Sequence, residues 1–445
     1  MIFLKRNYGK QKGFTLVETL VGSAVFVLLA LSGYKAFSVL MEAVAVSQAK
    51  IVATALSNEK FEIIRNLPYV DVGIENGLPA GKIERNETVV RDNYSFDLLT
   101  TIRSVDDIFD GTIGGNPGDT SPADYKLVDL DITCSNCKAF SPLKFTTLVA
   151  PHALETASTN GALFIQVFDR SGIPVSGASV HIENTVANPD IIIDETTDND
   201  GWIKIVDAPT GTNAYNITAA KSGFSQDQTY PPGGEAGPTP INEDATVVLL
   251  QVTQTSLLID RVSSLTVKTV DSSCVAFPGV GFSITGTKLI GAPSILKYPT
   301  ENFTTDLSGN YTLSDLEWDT YGALFTSPSY DLAGATLPPT FTINPNENVI
   351  LQMIAVPHLD NALLVSVVDS SNSAIDGAAV QLQKDEFDET KTVNSGPCAA
   401  PGQAFWNGLE GGTYTLTVSK AGYQTSVSSV DMFPSWQNQN IILVP

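Results

Sequence analysis

The sequence predicts a mainly β protein with one long N-terminal α-helix, and three observations support this fold class. Residues 14–65 are first apolar and then amphipathic, with apolar side chains at helical spacing. The following residues form short runs rich in Val, Ile, Thr and aromatic side chains, separated by Gly, Pro and Asp turns. From about residue 162 onward, one spacing of Leu, Asp, Gly and aromatic residues occurs three times. A helix, a small β-meander and three tandem β-sandwich domains follow from these patterns.

Composition limits the classes of function. The chain has 445 residues, of which 43% are hydrophobic, so several packed domains are expected. Asp and Glu number 48 against 25 Lys and Arg, which gives a net charge of −23. This excess argues against a nucleic-acid partner, because phosphates require a basic surface. Three distant histidines argue against a His-rich metal site or a His-based catalytic triad.

The N-terminus predicts a membrane segment. Residues 1–13 carry four basic residues and no acidic one: Lys5, Arg6, Lys10 and Lys12. About twenty apolar or small residues follow from Phe14, enough to cross a bilayer as a helix. The basic flank stays in the cytoplasm and the rest is exported. An ordinary signal peptide is the alternative, but no clear A-x-A-like cleavage site follows the apolar run.

One acidic residue, Glu18, interrupts this apolar run. A carboxylate near the bilayer core costs about 2.5–3.5 kcal/mol, so such a residue indicates function. The sequence Lys12-Gly13-Phe14-Thr15-Leu16-Val17-Glu18 resembles the type IV prepilin signature. The resemblance implies that a prepilin peptidase cuts after Gly13 and methylates the amine of Phe14. It also implies that Glu18 pairs with the terminal amine of a neighbouring pilin or pseudopilin.

The same resemblance implies a location and a domain order. The protein would be a single-pass protein of the bacterial inner membrane with extracytoplasmic C-terminal domains, and later part of a pilus or the cell surface. The leader is residues 1–13, and the transmembrane and assembly helix is 14–65, ended by Pro68. Residues 66–160 predict a β-meander similar to the heads of pilins and pseudopilins.

An acidic loop in this head is a calcium candidate. Asp106, Asp107 and Asp110 begin the loop, which runs on to Asp119 and Asp124. Ca²⁺ takes six to eight oxygen ligands, and some pseudopilins hold calcium in this region. The spacing matches no EF-hand, so an acidic surface turn is the alternative. We expect no other cofactor.

The three repeats are residues 161–258 (repeat 1), 259–357 (repeat 2) and 358–445 (repeat 3). Each begins with a strand at Leu163, Leu265 or Leu363. In all three copies an Asp follows six residues after this Leu, and a Gly follows eight residues after the Asp. A hydrophobic residue of the next strand comes three residues after the Gly. The residues in these positions are Asp169, Gly177 and Val180; Asp271, Gly279 and Phe282; and Asp369, Gly377 and Val380. Later in each repeat come a Gly (Gly201, Gly309, Gly402), a Tyr (Tyr215, Tyr321, Tyr414) and, nine residues on, a second aromatic (Phe224, Tyr330, Tyr423).

Repeat 1 best shows a known pattern. Its opening, VFDRSGIPVSGASV, and its Lys221-Ser-Gly-Phe224 hairpin resemble the carboxypeptidase-regulatory-like, prealbumin-type sandwiches with an Ig-like fold. That family implies a spacer or binding module and is grouped with carbohydrate-binding folds. Sugar binding would need exposed aromatic residues; the candidates are Trp202, Trp318, Trp406 and Trp436, of which the first three are favoured as core or edge residues. Residues 231–240 are an insertion, either a contact loop or a plain surface loop. We expect the three repeats to fold separately.

The four cysteines leave several pairings open. Cys134 and Cys137 have CxxC spacing, which favours a local disulfide in an exported chain over structural zinc. Cys274 and Cys398 lie in different repeats and either join repeats 2 and 3 or remain unpaired.

The sequence contains no convincing set of nucleophile, base and acid, so we predict that the protein is not an enzyme. The predicted function is a pilin-like structural subunit, minor or at the tip, of a type IV pilus or a type II secretion pseudopilus. The alternative is a membrane-anchored adhesin or carbohydrate-binding protein that uses a pilin-type anchor and binds a surface glycan or host ligand. The two hypotheses differ in whether assembly requires Glu18.

Overall fold

The computed structural model describes residues 13, 15–151, 157–338, 340–393, 398 and 400–445. Phe14 therefore lies outside the described residues. The chain divides after Ser158 into two compact units. The predicted fold class is confirmed: one long N-terminal helix precedes a mainly β chain. The first unit contains α1 (Leu16–Asn66), a short 3₁₀ helix (Tyr69–Asp71) and β1 (Asn86–Arg91), β2 (Tyr94–Val105), β3 (Tyr125–Cys134) and β4 (Leu143–Val149).

Helix α1 has 51 residues, or a length of about 77 Å at 1.5 Å per residue. It ends where the sequence predicts, because Leu67 before Pro68 takes an extended conformation. Every residue from Leu16 to Ala45 is exposed. One face of the C-terminal part is buried: Ala49, Ala53, Leu56, Ser57, Phe61 and Ile64. The C-terminal part of α1 thus belongs to a packed core, whereas its apolar N-terminal part is exposed.

The head is a four-stranded antiparallel sheet in the order β1-β2-β3-β4. Strands β2 and β3 pair from Phe96↔Cys134 to Val105↔Tyr125. The inward residues of these strands alternate with outward ones, as expected for a half-buried sheet. Phe96, Leu98 and Ile102 form one core with the buried face of α1. The connection from β2 to β3 is the acidic loop, so the sheet fixes both of its ends.

The second unit contains the three repeats, each made of two sheets. Repeat 1 holds β5 (Gly161–Phe168), β6 (Ser179–Asn184), β7 (Ile191–Thr196), β8 (Trp202–Ala208), β9 (Gly211–Ala220), β10 (Asp227–Gln228), β11 (Thr239–Pro240), β12 (Ala245–Val247) and β13 (Val252–Leu258). Its sheets have the orders β13-β5-β8 and β10-β9-β6-β7, with β12 also on β9.

Repeats 2 and 3 follow the same plan. Repeat 2 holds β14 (Ser263–Val270), β15 (Gly281–Gly286), β16 (Leu289–Ala292), β17 (Ile295–Leu296), β18 (Glu301–Thr304), β19 (Asn310–Leu316), β20 (Asp319–Phe325), β21 (Tyr330–Ala335), β22 (Thr340–Ile343) and β23 (Asn348–Pro357). Repeat 3 holds β24 (Ala362–Val368), β25 (Ala379–Lys384), β26 (Phe387–Thr392), β27 (Gln403–Trp406), β28 (Gly412–Ser419), β29 (Ser426–Met432) and β30 (Trp436–Ile442). Their sheets are β19-β14-β23-β21 with β18-β15-β20-β22, and β27-β24-β30 with β26-β25-β28-β29.

The repeated Asp residues form the same turn in each repeat. The carboxylate of Asp169 accepts hydrogen bonds from the backbone N–H groups of Ser171 and Ile173, at 2.8 and 2.9 Å. Asp271 and Asp369 do the same with the residues two and four positions on. This is the local side-chain bonding that stabilises Asx turns. The spacing seen in the sequence is therefore a turn placed after each first strand.

The three repeats pack against one another through backbone, side-chain and core contacts, and whether they fold separately stays a prediction. Strand β11 of the 231–240 insertion pairs with β16 of repeat 2, so the insertion is a contact loop. Leu364 of repeat 3 lies in the buried core of repeat 2. The indole N–H of Trp436 in repeat 3 donates to the carbonyl of Leu332 in repeat 2 at 2.8 Å. The Leu364 side chain, which period two would place on the outer face of β24, packs instead against the neighbouring repeat.

Candidate functional site

The start of α1 brings two residues of the leader motif together. Thr15 is the N-cap, and its hydroxyl accepts a hydrogen bond from the Glu18 N–H at 3.2 Å. The Glu18 carboxylate in turn accepts one from the Thr15 N–H at 3.3 Å. This reciprocal capping box satisfies two helix N-terminal donors. It also holds the Glu18 carboxylate beside the peptide that follows the predicted cleavage point, where its charge suits the positive end of the helix dipole.

The predicted processing residues are only partly described. Gly13 is exposed, and no atom of the described residues lies within 4 Å of the position where its side chain would stand. Phe14 falls outside the described residues. After them, α1 is long and apolar enough to cross a membrane, and its apolar window has no buried residue. A helix of this length and composition also fits a signal sequence, so the distinction between the two depends on the leader motif.

The acidic loop gathers three carboxylates. One oxygen each from Asp106, Asp119 and Asp124 lies within 4.8 Å of the others. Asp107 and Asp110, which the sequence placed with Asp106, contribute no oxygen to this group. The Asp107 backbone N–H instead donates to Asp124, and the Asp107 side chain accepts from the Phe109 N–H at 3.1 Å. The folded loop therefore places carboxylate oxygens of Asp119 and Asp124, and not of Asp107 or Asp110, beside Asp106.

Each of these three carboxylates has one satisfied and one unsatisfied oxygen. The satisfied oxygens accept backbone N–H bonds from Ile113 to Asp106 at 2.9 Å, from Ser121 to Asp119 at 2.8 Å, and from Asp107 to Asp124. The second oxygens, Asp106 Oδ1, Asp119 Oδ2 and Asp124 Oδ1, are buried and have no hydrogen-bond partner among the described residues. Unpaired buried carboxylate oxygens are unfavourable, and a cation placed among them would remove this cost.

The charges in this loop are not compensated. Burial raises the pKa of Asp106 above its usual range, and the neighbouring Asp119, Asp124 and Asp110 raise it further, against a lowering by the Ile113 N–H. Burial likewise raises the pKa of Asp124, with contributions from Asp110, Asp119 and Asp107. A cation placed among the three oxygens would reverse this repulsion. Hard carboxylate oxygens are the donors that Ca²⁺ prefers.

The cysteines form two disulfides, one local and one between repeats. Cys134 and Cys137 are bonded in the turn after β3, with their Cα atoms 5.5 Å apart. Cys274 and Cys398 are bonded with Cα atoms 5.2 Å apart, although 124 positions separate them in sequence. This second bond joins repeat 2 to repeat 3.

The four tryptophans do not form an exposed aromatic platform. Trp406 is buried and the other three are half-buried. The Lys288 ammonium lies 3.0 Å from the ring centroid of Trp318, and Trp436 bonds to repeat 2 as described above. The structure therefore assigns three of these side chains to cores and contacts between elements, and Trp202 lies at the start of β8.

Sequence reasoning missed two groups of residues. The Thr15-Leu-Val-Glu18 spacing is a capping-box pattern and would have predicted the N-cap.

The second group is a buried ion-pair network in repeat 2, which no pattern in the sequence indicated. Glu317 is 2% exposed and bonds to Lys288, Lys297 and the Tyr298 hydroxyl at 2.6, 2.7 and 2.6 Å. Lys297 also donates to the Gln226 carbonyl of repeat 1 at 2.7 Å, so the network ties the two repeats together.

Comparison with known families identifies the N-terminal motif. Residues 8–34 match the prokaryotic N-terminal methylation motif. The chain carries a prepilin-type N-terminus. The match ends within α1 and does not extend to the head or the repeats. A search of curated proteins found no significant match.

A search of solved structures found matches to this chain at low identity and low TM-score. The TIE protein of Bacillus anthracis is 13% identical, with 81% of this chain and 73% of that chain covered and a TM-score of 0.18. A streptococcal ancillary pilin is 13% identical, with 64% and 98% covered and a TM-score of 0.18. The minor pilin of Streptococcus agalactiae is 15% identical, with 41% and 97% covered and a TM-score of 0.17. Identities and TM-scores at this level carry no statement about what this chain binds.

Proposed function

We propose that the protein is a pilin-like structural subunit of a type IV pilus or a type II secretion pseudopilus. The observation that carries this proposal is the methylation motif at the start of a capped helix whose residues from Leu16 to Ala45 are all exposed. An exposed apolar helix of this length needs lipid or other helices around it. A bilayer before assembly and neighbouring subunits after assembly meet that need. The repeats would then be displayed outside the cell.

Processing and assembly are tested with two substitutions. Gly13→Val should leave the precursor uncut by a prepilin peptidase, because that cleavage needs a residue with almost no side chain at this position. Glu18→Val should still insert, or insert better, because it removes a charge from the bilayer. It should fail to enter filaments, because the amine of a neighbouring Phe14 loses its partner. Thr15→Val is the matched control, since it breaks the capping box and keeps the carboxylate.

The outcomes separate the proposal from its alternative. Mass spectrometry of the mature N-terminus should find a methylated Phe14. An intact Met1, or a later cut, would contradict the prepilin interpretation. If Glu18→Val assembles as well as the wild type, the chain uses its helix as an anchor only, and a membrane-anchored adhesin becomes the better description.

We further propose that the subunit is minor or located at a filament tip. A sandwich of about 95 residues is about 30 Å across, and three of them are bulkier than the head. The strongly negative charge adds repulsion between crowded copies at low salt. Quantitative mass spectrometry of purified filaments tests this. Near-equal amounts of this chain and of the main pilin would contradict it.

A calcium ion in the acidic loop is the cofactor that we propose. Asp106, Asp119 and Asp124 would hold the ion with their three unsatisfied oxygens, in agreement with the fit described above. When bound, the ion supplies two positive charges. The three residues then fasten both ends of the connection between β2 and β3, and thereby stiffen that side of the head.

The test is thermal unfolding of the head with Ca²⁺, with Mg²⁺ and with a chelator. Ca²⁺ should raise the melting temperature, and Asp119→Asn should remove the effect. Asp110→Asn, an exposed acid of the same loop outside the group, is the matched control and should retain it. Equal effects of Ca²⁺ on the wild type and Asp119→Asn would contradict the site.

A further inference from the structure

In each repeat, the first strand lies beside the last strand, and the two run parallel. Strand β5 pairs with β13 from Ala162↔Val252 to Phe168↔Leu258. Strand β14 pairs with β23 from Ser264↔Asn348 to Val270↔Ile354, and β24 pairs with β30 from Ala362↔Trp436 to Val368↔Ile442. The ladder in each repeat therefore has the same length and direction.

This pairing determines how a repeat responds to tension along the chain. Tension enters at the N-terminal end of the first strand and leaves at the C-terminal end of the last. In a parallel pair, those two ends point in opposite directions along the strands. The hydrogen bonds of the ladder are therefore loaded together in shear, whereas strands pulled apart from one end lose them one after another. Connections between repeats are short, since β13 ends at Leu258 and β14 begins at Ser263, so little slack separates one ladder from the next.

The second disulfide adds a covalent route past much of repeats 2 and 3. Cys274 lies just after β14, and Cys398 lies just before β27, with 124 positions between them. Tension that enters repeat 2 along β14 passes through the disulfide directly into repeat 3. Residues 275–397 lie outside this route and cannot be extended while the bond is intact. Cys398 is only 6% exposed, so solvent reductants reach its sulfur poorly in the folded protein.

We propose that the three repeats form a tension-resisting arm, in which a shear-loaded ladder holds repeat 1 and the Cys274–Cys398 disulfide carries tension past residues 275–397. The ladders of repeats 2 and 3 take up the load when the disulfide is reduced. The proposed function supplies a source of tension, but this property belongs to the isolated protein and is measured without a filament. Failure of either proposal therefore leaves the other standing.

The disulfide route is tested by single-molecule force spectroscopy of the full chain in detergent, held at its two ends. The double variant C274S/C398S should release about 410–450 Å more length than the oxidised wild type, the extended length of the bypassed segment. The double variant C134S/C137S is the matched control, because its disulfide spans three positions and should change the length by only about 10 Å. Wild type that is reduced in denaturant and refolded in the presence of a thiol reductant before tethering should give the same gain as C274S/C398S. Equal released lengths for oxidised and reduced wild type would overturn the bypass.

The ladder of repeat 1 is tested with two neighbouring prolines. The Ala162 N–H donates to the Gln251 carbonyl and the Ile259 N–H donates to the Phe168 carbonyl, at 2.9 and 3.1 Å. This alternation directs the Thr255 N–H toward β5 and the Ser256 N–H away from it.

Thr255→Pro removes a ladder donor, and Ser256→Pro introduces the same ring without doing so. At a fixed load, Thr255→Pro should break repeat 1 at least about fivefold faster than Ser256→Pro, the effect of losing one buried hydrogen bond. The repeat 1 event is recognised by a release of about 320–350 Å, the extended length of Gly161–Leu258. Equal breaking rates for the two variants would overturn the ladder as the element that resists tension.

Discussion

Truncation of Leu364 tests whether repeats 2 and 3 share one core. This residue belongs to β24 of repeat 3, yet it is 0% exposed and lies in the buried cluster of repeat 2. Its neighbours Leu363 and Val365 point into the core of repeat 3 instead. Truncation of Leu364 therefore tests the contact between the repeats, whereas truncation of Leu363 or Val365 tests the core of repeat 3.

The expected cost follows from burial. Leu364→Ala removes a fully buried side chain and leaves a cavity, which costs about 2–5 kcal/mol of unfolding free energy. Val365→Ala, in the core of repeat 3, should cost about 2–3 kcal/mol. Leu307→Ala is the matched surface control, because that side chain is 95% exposed and its loss should change stability by less than about 0.5 kcal/mol.

Urea unfolding followed by hydrogen-exchange mass spectrometry measures the effect in each repeat. Because the Cys274–Cys398 disulfide and the shared core join the two repeats, both variants should lower the protection of repeats 2 and 3 together. Repeat 1 should change less. If Leu364→Ala stays within about 0.5 kcal/mol of the wild type, the side chain is exposed in solution and the shared core is refuted. If Val365→Ala lowers the protection of repeat 3 alone, the repeats unfold separately.

Two further predictions concern stability. Gly402→Ala should destabilise repeat 3 by more than Gly422→Ala does: both glycines have positive φ, of 66° and 88°, but only at Gly402 would the added Cβ stand 2.6 Å from the Val367 carbonyl. We expect about 1–2 kcal/mol for Gly422→Ala from the backbone alone and a larger loss for Gly402→Ala, and equal chemical-denaturation midpoints would contradict this. The second concerns pH. A hydrogen bond from His358 to the buried Asp331 raises the pKa of His358, so its stabilising effect is complete below about pH 6.5 and is lost as the pH rises through the raised pKa. Melting temperatures of the wild type should therefore fall over that range relative to His358→Gln, and parallel curves for the two proteins would disprove the link.

The sequence predicted what depends on neighbouring residues. An apolar run followed by Pro68 is enough to place α1, since both lipid crossing and helix termination are local properties. The recurring Asp and Gly of the repeats were found as spacings, and the structure shows them as turns in which side chains bond to nearby N–H groups or φ is positive. These positions recur because each turn requires those residue types.

Distant partners were not predictable in the same way. Nothing near Cys274 indicates Cys398 as its partner, because their approach depends on how two sandwiches pack. The acidic loop is a case between these extremes. The sequence indicated five acidic residues in one loop, but the placement of Asp119 and Asp124, rather than Asp107 and Asp110, beside Asp106 depends on how the chain folds back between β2 and β3. Leu364 shows the same limit. Alternation along β24 predicts that this side chain points away from the core of repeat 3, and only the packing of the neighbouring repeat buries it.

The pairing of β11 with β16 has a consequence for how this architecture can change during evolution. Repeat 1 provides a strand that covers the backbone edge of its neighbour, and Gly291 in β16 leaves no room for a side chain beneath the Ala236 carbonyl. A copy of repeat 2 without repeat 1 before it would expose unpaired N–H and C=O groups, which favour association with other chains. Tandem domains often multiply by duplication or exchange places. Separating the first two domains here would leave this edge of repeat 2 unpaired.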